Sequence, residues 1–392
     1  MQSYIVIGGG LAGLTAANAL ARPNTKVTLI EQSAHLGGRA RTTHERGYAL
    51  NLGPHALYIG GRAAQTFREW NIPFSGKVPP TSANAYYLRE SKLYPMFANL
   101  SGLLTTRLFT PREKLEVANL LRLFTAPDAK PDETMSHWLD RHLSAARVRA
   151  FAATLIRITT FAIELDNLDA EATLTQIASA LKHNVLYLDG GWQTLVDGLT
   201  DRARSLGVDI RCGEPAALDT TATVLAVGSE AVEKLTGIHV PKGPALRMAT
   251  LDLGLARVPD NAPVTAFALD RPIYFSTHFN SVGKRLVHVA KYLGSSAQDP
   301  KTIRAELEEY ATLVMPAWNQ HTEFVRFLPD LTIASIMPTA TPKRPHADFL
   351  HLKNVAIAGD WVGPESMLAD AAVASALEAA ALLQRRATAA AA

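Results

Sequence analysis

Three glycines and one acid open the chain at a spacing that can hold a nucleotide. Gly8, Gly10 and Gly13 form a G-x-G-x-x-G turn, and Glu31 follows about 20 residues later. Glycine at 8 allows a tight turn. Glycine at 10 lets the main chain approach a pyrophosphate, and glycine at 13 lets a helix pack close to its strand. Leu11 and Ala12 fall at the start of that helix, where unpaired N–H groups and the positive end of the dipole favour phosphate. Glu31 can accept both ribose hydroxyls, with Gln32 beside it. A second glycine cluster runs Leu36-Gly37-Gly38-Arg39-Ala40-Arg41-Thr42. Gly38 and Ala40 permit another close approach, and Arg39 offers a planar fork of donors to phosphate oxygens. The plain alternative for Arg39 and Arg41 is a solvated surface pair.

The elements needed to position these residues are legible. Ser3 to Ile7 is a short apolar run, read as a buried strand. Leu14 to Ala21 holds good helix formers, and Val27 to Ile30 is a second buried strand that ends at Glu31. Strand, glycine turn, helix, strand and terminal acid together predict a dinucleotide-binding unit.

The totals set limits. A chain of 392 residues has room for two domains with sizeable cores. Its 47% hydrophobic content suits a globular enzyme. Lys and Arg number 39 against 36 acids, and no basic block of the kind that tracks nucleic acid is present. A single cysteine, Cys212, rules out an internal disulfide and fits a reducing, cytoplasmic setting. The chain starts on its first strand, which predicts no signal peptide. No apolar run reaches the ~18 residues that span a membrane. The 12 histidines do not fall at metal-ligand spacing, so no metal site is expected.

With the second glycine cluster the sequence resembles the superfamily of flavin-containing amine oxidases, protoporphyrinogen oxidases and phytoene desaturases. The resemblance implies FAD and a discontinuous FAD-binding domain of the family's GR2-like Rossmann type. It covers further landmarks. Asn51-Leu52-Gly53-Pro54-His55 resembles the stretch that passes the flavin ring; His55 can face the flavin or bond a loop carbonyl. Gly190-Gly191 resembles the segment where the chain re-enters the FAD domain, and Glu214 to Ala216 fall where the family contacts adenine. Ala358-Gly359-Asp360, followed by Met367 to Ala376, resembles the closing motif. By resemblance Asp360 bonds the ribitol or pyrophosphate region, and the backbone at Leu368 and Ala369 meets the flavin. Ala371 and Ala376 stand where the family usually has glycine.

These landmarks predict an α/β chain in which residues 1–75, 188–243 and 350–392 form the FAD-binding domain. Residues 76–187 and 244–349 would then form a substrate domain, a mixed or antiparallel sheet with a helical subdomain. The expected strands are Ala85 to Arg89 and Lys92 to Tyr94 as a hairpin, Val208 to Arg211, Thr223 to Gly228, Leu246 to Leu255, Ile273 to Phe275, Leu286 to Ala290 and Ile333 to Ser335. Helices are expected at Ala63 to Trp70, Leu103 to Phe124 with Pro111 in a first turn, Ser136 to Leu143, Ala145 to Phe161, Thr173 to His183, Gln193 to Ser205 and Pro300 to Val314. The tail from Ala387 should fray. Phe151, Leu155 and Ile158 share one helical face, which could be core, the wall of a substrate tunnel or a surface resting on a membrane.

Chemistry follows the resemblance. A flavin so held takes hydride at N5 from a substrate C–H. Amine oxidases of the superfamily carry a lysine opposite N5. Pro244 to Thr250 holds none, and Lys291 on a later strand is the other place to look, or else a sheet-edge lysine. Ala334 to Pro342 lacks the amine oxidases' aromatic-glycine signature and looks more like the phytoene desaturase branch. The first reading is an FAD-dependent dehydrogenase or oxidase of a hydrophobic small molecule. An amine oxidase is second, and a flavoprotein that uses FAD structurally or for isomerisation is third. The substrate should lie near His55, with Tyr274 and Tyr292 among its walls. The chain should be cytoplasmic or rest peripherally on a membrane.

Overall fold

In the computed structural model, which describes residues 1–80, 84–126, 128–257, 262–279 and 285–391, two sheets contribute walls to one cavity. The first sheet is parallel throughout. Its strand order is Asp209–Cys212, Thr25–Glu31, Gln2–Ile7, Ala222–Leu225 and Val355–Ile357. Parallel strands are covered on both faces, so they read as near-continuous apolar runs. Leu11–Leu20, Gln193–Ser205 and Leu368–Ala391 pack on one face and bury Leu14, Leu195, Leu199 and Val373. Val232 of the Ser229–Thr236 helix joins Ile7, Leu225, Ile357 and Trp361 in the core on the other face. This is a Rossmann-type layer.

The second sheet has seven strands in the order Thr322–Ala334, Leu246–Leu255, Arg285–Leu293, Ile273–Phe279, Thr265–Ala268, Ala85–Arg89 and Lys92–Pro95. It is antiparallel except where Thr265–Ala268 runs parallel to Ala85–Arg89. Leu251, Leu253, Phe275, Val287 and Val289 pack one face onto the Pro300–Val314 helix. The opposite face meets the hairpin of Thr42–Glu45 and Tyr48–Asn51, where the Tyr48 ring lies over Gly254. Helices Pro111–Thr125, Met135–His142, Ala146–Thr160 and Ala170–His183 enclose a third core. Among the described residues no helix is long and apolar enough to cross a membrane.

Several expectations change. The stretch read as helical from Leu103 to Phe124 is two helices, Leu100–Thr105 and Pro111–Thr125; the second begins at Pro111 as expected, with Thr110 as cap in a capping box with Glu113. The strand read only at Ile333 to Ser335 runs from Thr322 to Ala334. Pro329 and interspersed charges hid it, and both suit its place at the sheet edge. The tail does not fray at Ala387, because the helix continues to Ala391; alanine is the best helix former. Residue 392 lies outside the described residues. Lys291 is on no sheet edge; it sits on a central strand and its Nζ donates to Gln298 Oε1 at 2.7 Å and pairs with Glu306.

In Ala146–Thr160 the buried side is Val148, Phe151, Ala152, Thr154 and Ile156, while Leu155 and Ile158 are half-buried. Phe151 meets Tyr87, Phe97 and Phe109 with ring centroids 5.4–5.8 Å apart. Phe151→Ala should therefore cost about 3–5 kcal/mol, read as a lowered urea midpoint, whereas Leu155→Ala should cost much less. Equal losses would contradict this packing.

Candidate functional site

The first glycine turn is fixed by main-chain crowding. Gly8 has φ +108°, and a Cβ there would lie 2.4 Å from the Ala226 carbonyl oxygen. A Cβ on Gly13 would lie 1.7 Å from the Gly8 oxygen. At Gly10 a Cβ would meet nothing within 4 Å, because this glycine faces the cavity. No side chain caps the Leu11–Leu20 helix, and Gly10, Leu11 and Ala12 line the cavity at its N-terminus. These residues leave a phosphate-sized approach to bare main chain.

Glu31 is held from both sides. Its Oε2 accepts from Gly9 N at 2.5 Å and its Oε1 from Ser33 N at 2.8 Å. A carboxylate keeps further lone pairs for hydroxyl donors. Gln32, Glu214, Pro215, Ala216, Lys234 and Leu235 surround this end of the cavity. Cys212 is opposite Glu31 in register and is exposed.

The second glycine turn sits on the first. Gly37 N donates to Gly9 O at 2.8 Å, and a Cβ on Gly38 would be 3.5 Å from Gly10 Cα. Arg39 spends its fork on Asp360, Nη1 to Oδ2 and Nη2 to Oδ1, each at 2.8 Å. Its Nη1 also donates to Ile333 O at 3.0 Å, and Asp360 Oδ2 accepts from Ser335 N at 2.9 Å. Arg39, Ala40, Gly359 and Asp360 all line the cavity. The two residues read separately for phosphate and ribitol thus form one ion pair at the cavity wall.

His55 bonds a loop carbonyl, as one of its two readings had it, and also faces the cavity. Its ring lines the cavity, and Nδ1 is 3.0 Å from Gly53 O, which assigns the proton to Nδ1. Burial, then repulsion from His288, outweigh the pull of the Gly53 carbonyl and hold the imidazole below its ordinary pKa, hence neutral. Pro54 lines the same wall; Gly53 itself stands behind it with φ +81°. Trp192 stands edge-on to His55 at 5.2 Å, and its buried Nε1 has no hydrogen-bond partner among the described residues.

The Leu368–Ala391 helix presents Leu368, Ala369 and Asp370 to the cavity. Ala371 and Ala376 are fully buried in it. Asp370 Oδ1 accepts from Ala63 N at 2.8 Å, so its carboxyl sits on the N-terminus of the Arg62–Glu69 helix. Burial pushes its pKa up to about 6.

One cavity of about 790 Å³ joins these parts, from Glu31 and Glu214 to Leu52, Leu57, Phe161, Leu331 and Ile333. Phe161 and Leu331 had no signal in the sequence. Phe161 reaches the cavity because it ends its helix in the left-handed conformation, φ +64°, which its residue type does not suggest. Leu331 belongs to the strand that Pro329 hid. Tyr274 and Tyr292 are not in the wall: Tyr292 packs behind Phe161 at 6.0 Å, and Tyr274 behind Tyr292 at 5.4 Å. The open space at Gly10, the two stacked glycine turns and the unpartnered Trp192 Nε1 fit an extended dinucleotide.

Two outcomes follow. Gly10→Ala should fold normally, with at most a cap penalty of about 1 kcal/mol, while Gly13→Ala should unfold at markedly lower temperature; equal thermal unfolding of the two would contradict the turn. Asp370 has a folded pKa above its ordinary value of 3.8. Its contribution to stability is therefore complete below that value and is lost as pH rises through about 6. Relative to Asp370→Asn, the wild-type melting temperature should fall between about pH 4 and 7. Parallel curves would contradict the burial of an acid at this position.

Residues 6–70 match the family model described as an NAD(P)-binding Rossmann-like domain. The chain is 30% identical to coproporphyrinogen III oxidase of Staphylococcus aureus over 125 residues, 29% of this chain and 27% of that protein. It is 25% identical to a phytoene desaturase of Neurospora crassa over 299 residues, 62% of this chain and 46% of that protein. It therefore spans between about a quarter and a half of these curated relatives. Cyclohexylamine oxidase from Brevibacterium oxydans shares the fold with a TM-score of 0.73 over 99% of both chains, at 14% identity. The start of the chain thus carries a Rossmann-like nucleotide-binding sequence, parts of it are similar to the coproporphyrinogen oxidase and the phytoene desaturase, and its whole length shares the fold of the cyclohexylamine oxidase.

Proposed function

We propose that this chain is an FAD-dependent oxidoreductase that removes hydride from a C–H bond of a hydrophobic small molecule, as a desaturase, dehydrogenase or oxidase. The observation that carries the reading is the continuity of the cavity, which joins a dinucleotide cradle to an apolar chamber. Bound there, FAD supplies a hydride acceptor at N5 of its ring. Glu31 and Gln32 hold the adenosine end. Gly8, Gly10, Leu11, Ala12 and Gly13, with Gly38, Arg39 and Ala40, hold the pyrophosphate. Gly359 and Asp360 serve the ribitol. Pro54 and His55, with Gly53 behind them, form one wall of the ring site, and Leu368 and Ala369 offer a helix N-terminus to the side where negative charge gathers.

Leu52, Leu57, Phe161, Leu331 and Ile333 give the reacting end apolar walls. Neutral His55 adds no charge there, and Lys291 is committed to Gln298 and Glu306. An uncharged substrate suits these walls better than an ammonium. In this reading residues 1–75, 188–243 and 350–392 form the FAD-binding domain, and 76–187 with 244–349 the substrate domain. The parallel sheet, drawn from three separate parts of the chain, supports that division. Free Cys212 supports a reducing, cytoplasmic setting, which leaves peripheral membrane contact open.

The test is an anaerobic screen of the loaded protein followed by flavin absorbance. Apolar compounds with saturated C–C bonds next to conjugated systems should bleach the flavin. Bleaching by amines alone would replace this reading with an amine oxidase. No bleaching by any redox substrate, with turnover of an isomerisable one, would make the flavin non-redox.

A further inference from the structure

The face of the seven-stranded sheet that meets the cavity wall is apolar at Met248, Tyr274, Ala290 and Tyr292. One rung across it is polar. Register sets Arg326, Asp252, His288 and Ser276 side by side on four neighbouring strands, and thus on one face. Asp252 and His288 are 0% and 1% exposed. His288 Nδ1 lies 2.7 Å from Asp252 Oδ1, and Arg326 donates to Asp252 Oδ2 from Nε at 2.9 Å and from Nη2. His278 stands edge-on to His288 at 4.6 Å and stacks on Tyr187 at 3.7 Å. Burial raises the Asp252 carboxyl, but His288 and Arg326 bring it below its ordinary value, so it is an anion.

A buried ionic cluster is a poor way to gain stability, since apolar residues of similar volume often serve as well or better. This one leads somewhere. Arg326 Nη2 also donates to Asn51 O, at the end of the neighbouring hairpin. Asn51 Oδ1 accepts from Thr42 Oγ1 at 2.6 Å and from Trp192 N at 3.1 Å. Trp192 lies against His55, and both line the cavity. Asp252, His288 and Arg326 do not line it. An unbroken line of hydrogen bonds therefore runs from the centre of the sheet to one end of the cavity. No bond of the rung reaches Glu31 or the Gly8–Gly13 turn.

We propose that Asp252, His288 and Arg326 are positioning residues: through Asn51 they hold the Asn51–His55 and Trp192 wall against which the flavin ring rests, without touching FAD. The proposal rests on the FAD reading of the cavity. The test is calorimetric titration of the apoprotein with FAD and, separately, with ADP, which occupies only the adenosine end. Asp252→Asn should weaken FAD binding about tenfold or more and leave ADP binding within about twofold. Arg326→Met should show the same split, and decides the matter if Asp252→Asn does not fold. Equal weakening for both ligands would make the rung merely structural and overturn the proposal, as would no change for either. Wild-type protein that binds ADP but not FAD would instead overturn the reading of the cavity, which is a separate result.

Discussion

The ion pair of Arg39 with Asp360 joins residues 321 apart in the chain, and the shape of the cavity depends on it. Arg39 belongs to the second glycine turn, and Asp360 follows the last strand of the parallel sheet. Their further bonds, to Ile333 O and from Ser335 N, take hold of the edge strand of the other sheet and the residue after it. Three segments that have no sequence proximity are thereby fixed around one opening. Asp360 is only 5% exposed. Removing Arg39 would leave a buried carboxylate without the cation bonded to it, and would free the edge strand from the nucleotide side.

Two ionic clusters flank the cavity and differ in what they do. The Arg39–Asp360 pair is in the wall and presents polar groups to a ligand. The Arg326–Asp252–His288 rung lies behind the wall and reaches it only through Asn51. Asp370 is a third case, a buried acid that accepts a main-chain N–H and, among the described residues, pairs with no cation. Most of the residues that line the space are apolar side chains or glycine, and Glu31, Arg39, Glu214, Lys234, Asp330, Asp360 and Asp370 are the charged ones among them. That distribution suits a cofactor whose phosphates and hydroxyls need polar partners while the reaction end stays dry.

What the sequence made legible was the local chemistry. Gly8 and Gly13 could be assigned because main-chain contacts at these points exclude any side chain, and residue type records that directly. Arg39 and Asp360 were each singled out, but nothing along a separation of 321 residues says that they meet. Phe161 and Leu331 escaped for opposite reasons: one adopts a backbone conformation that its type disfavours, and the other lies in a strand broken by proline. Tyr274 and Tyr292 were placed on the right sheet but one layer too near the cavity, because strand alternation gives the face and not the depth.

Each role proposed for these residues requires that the cavity holds FAD. The most direct measurement is the flavin content of the purified protein after acid precipitation. One FAD per chain should appear in the supernatant, released freely because Cys212 is the only cysteine and stands at the Glu31 end of the cavity, away from the ring site. Colourless protein that takes up no FAD on reconstitution would contradict the claim.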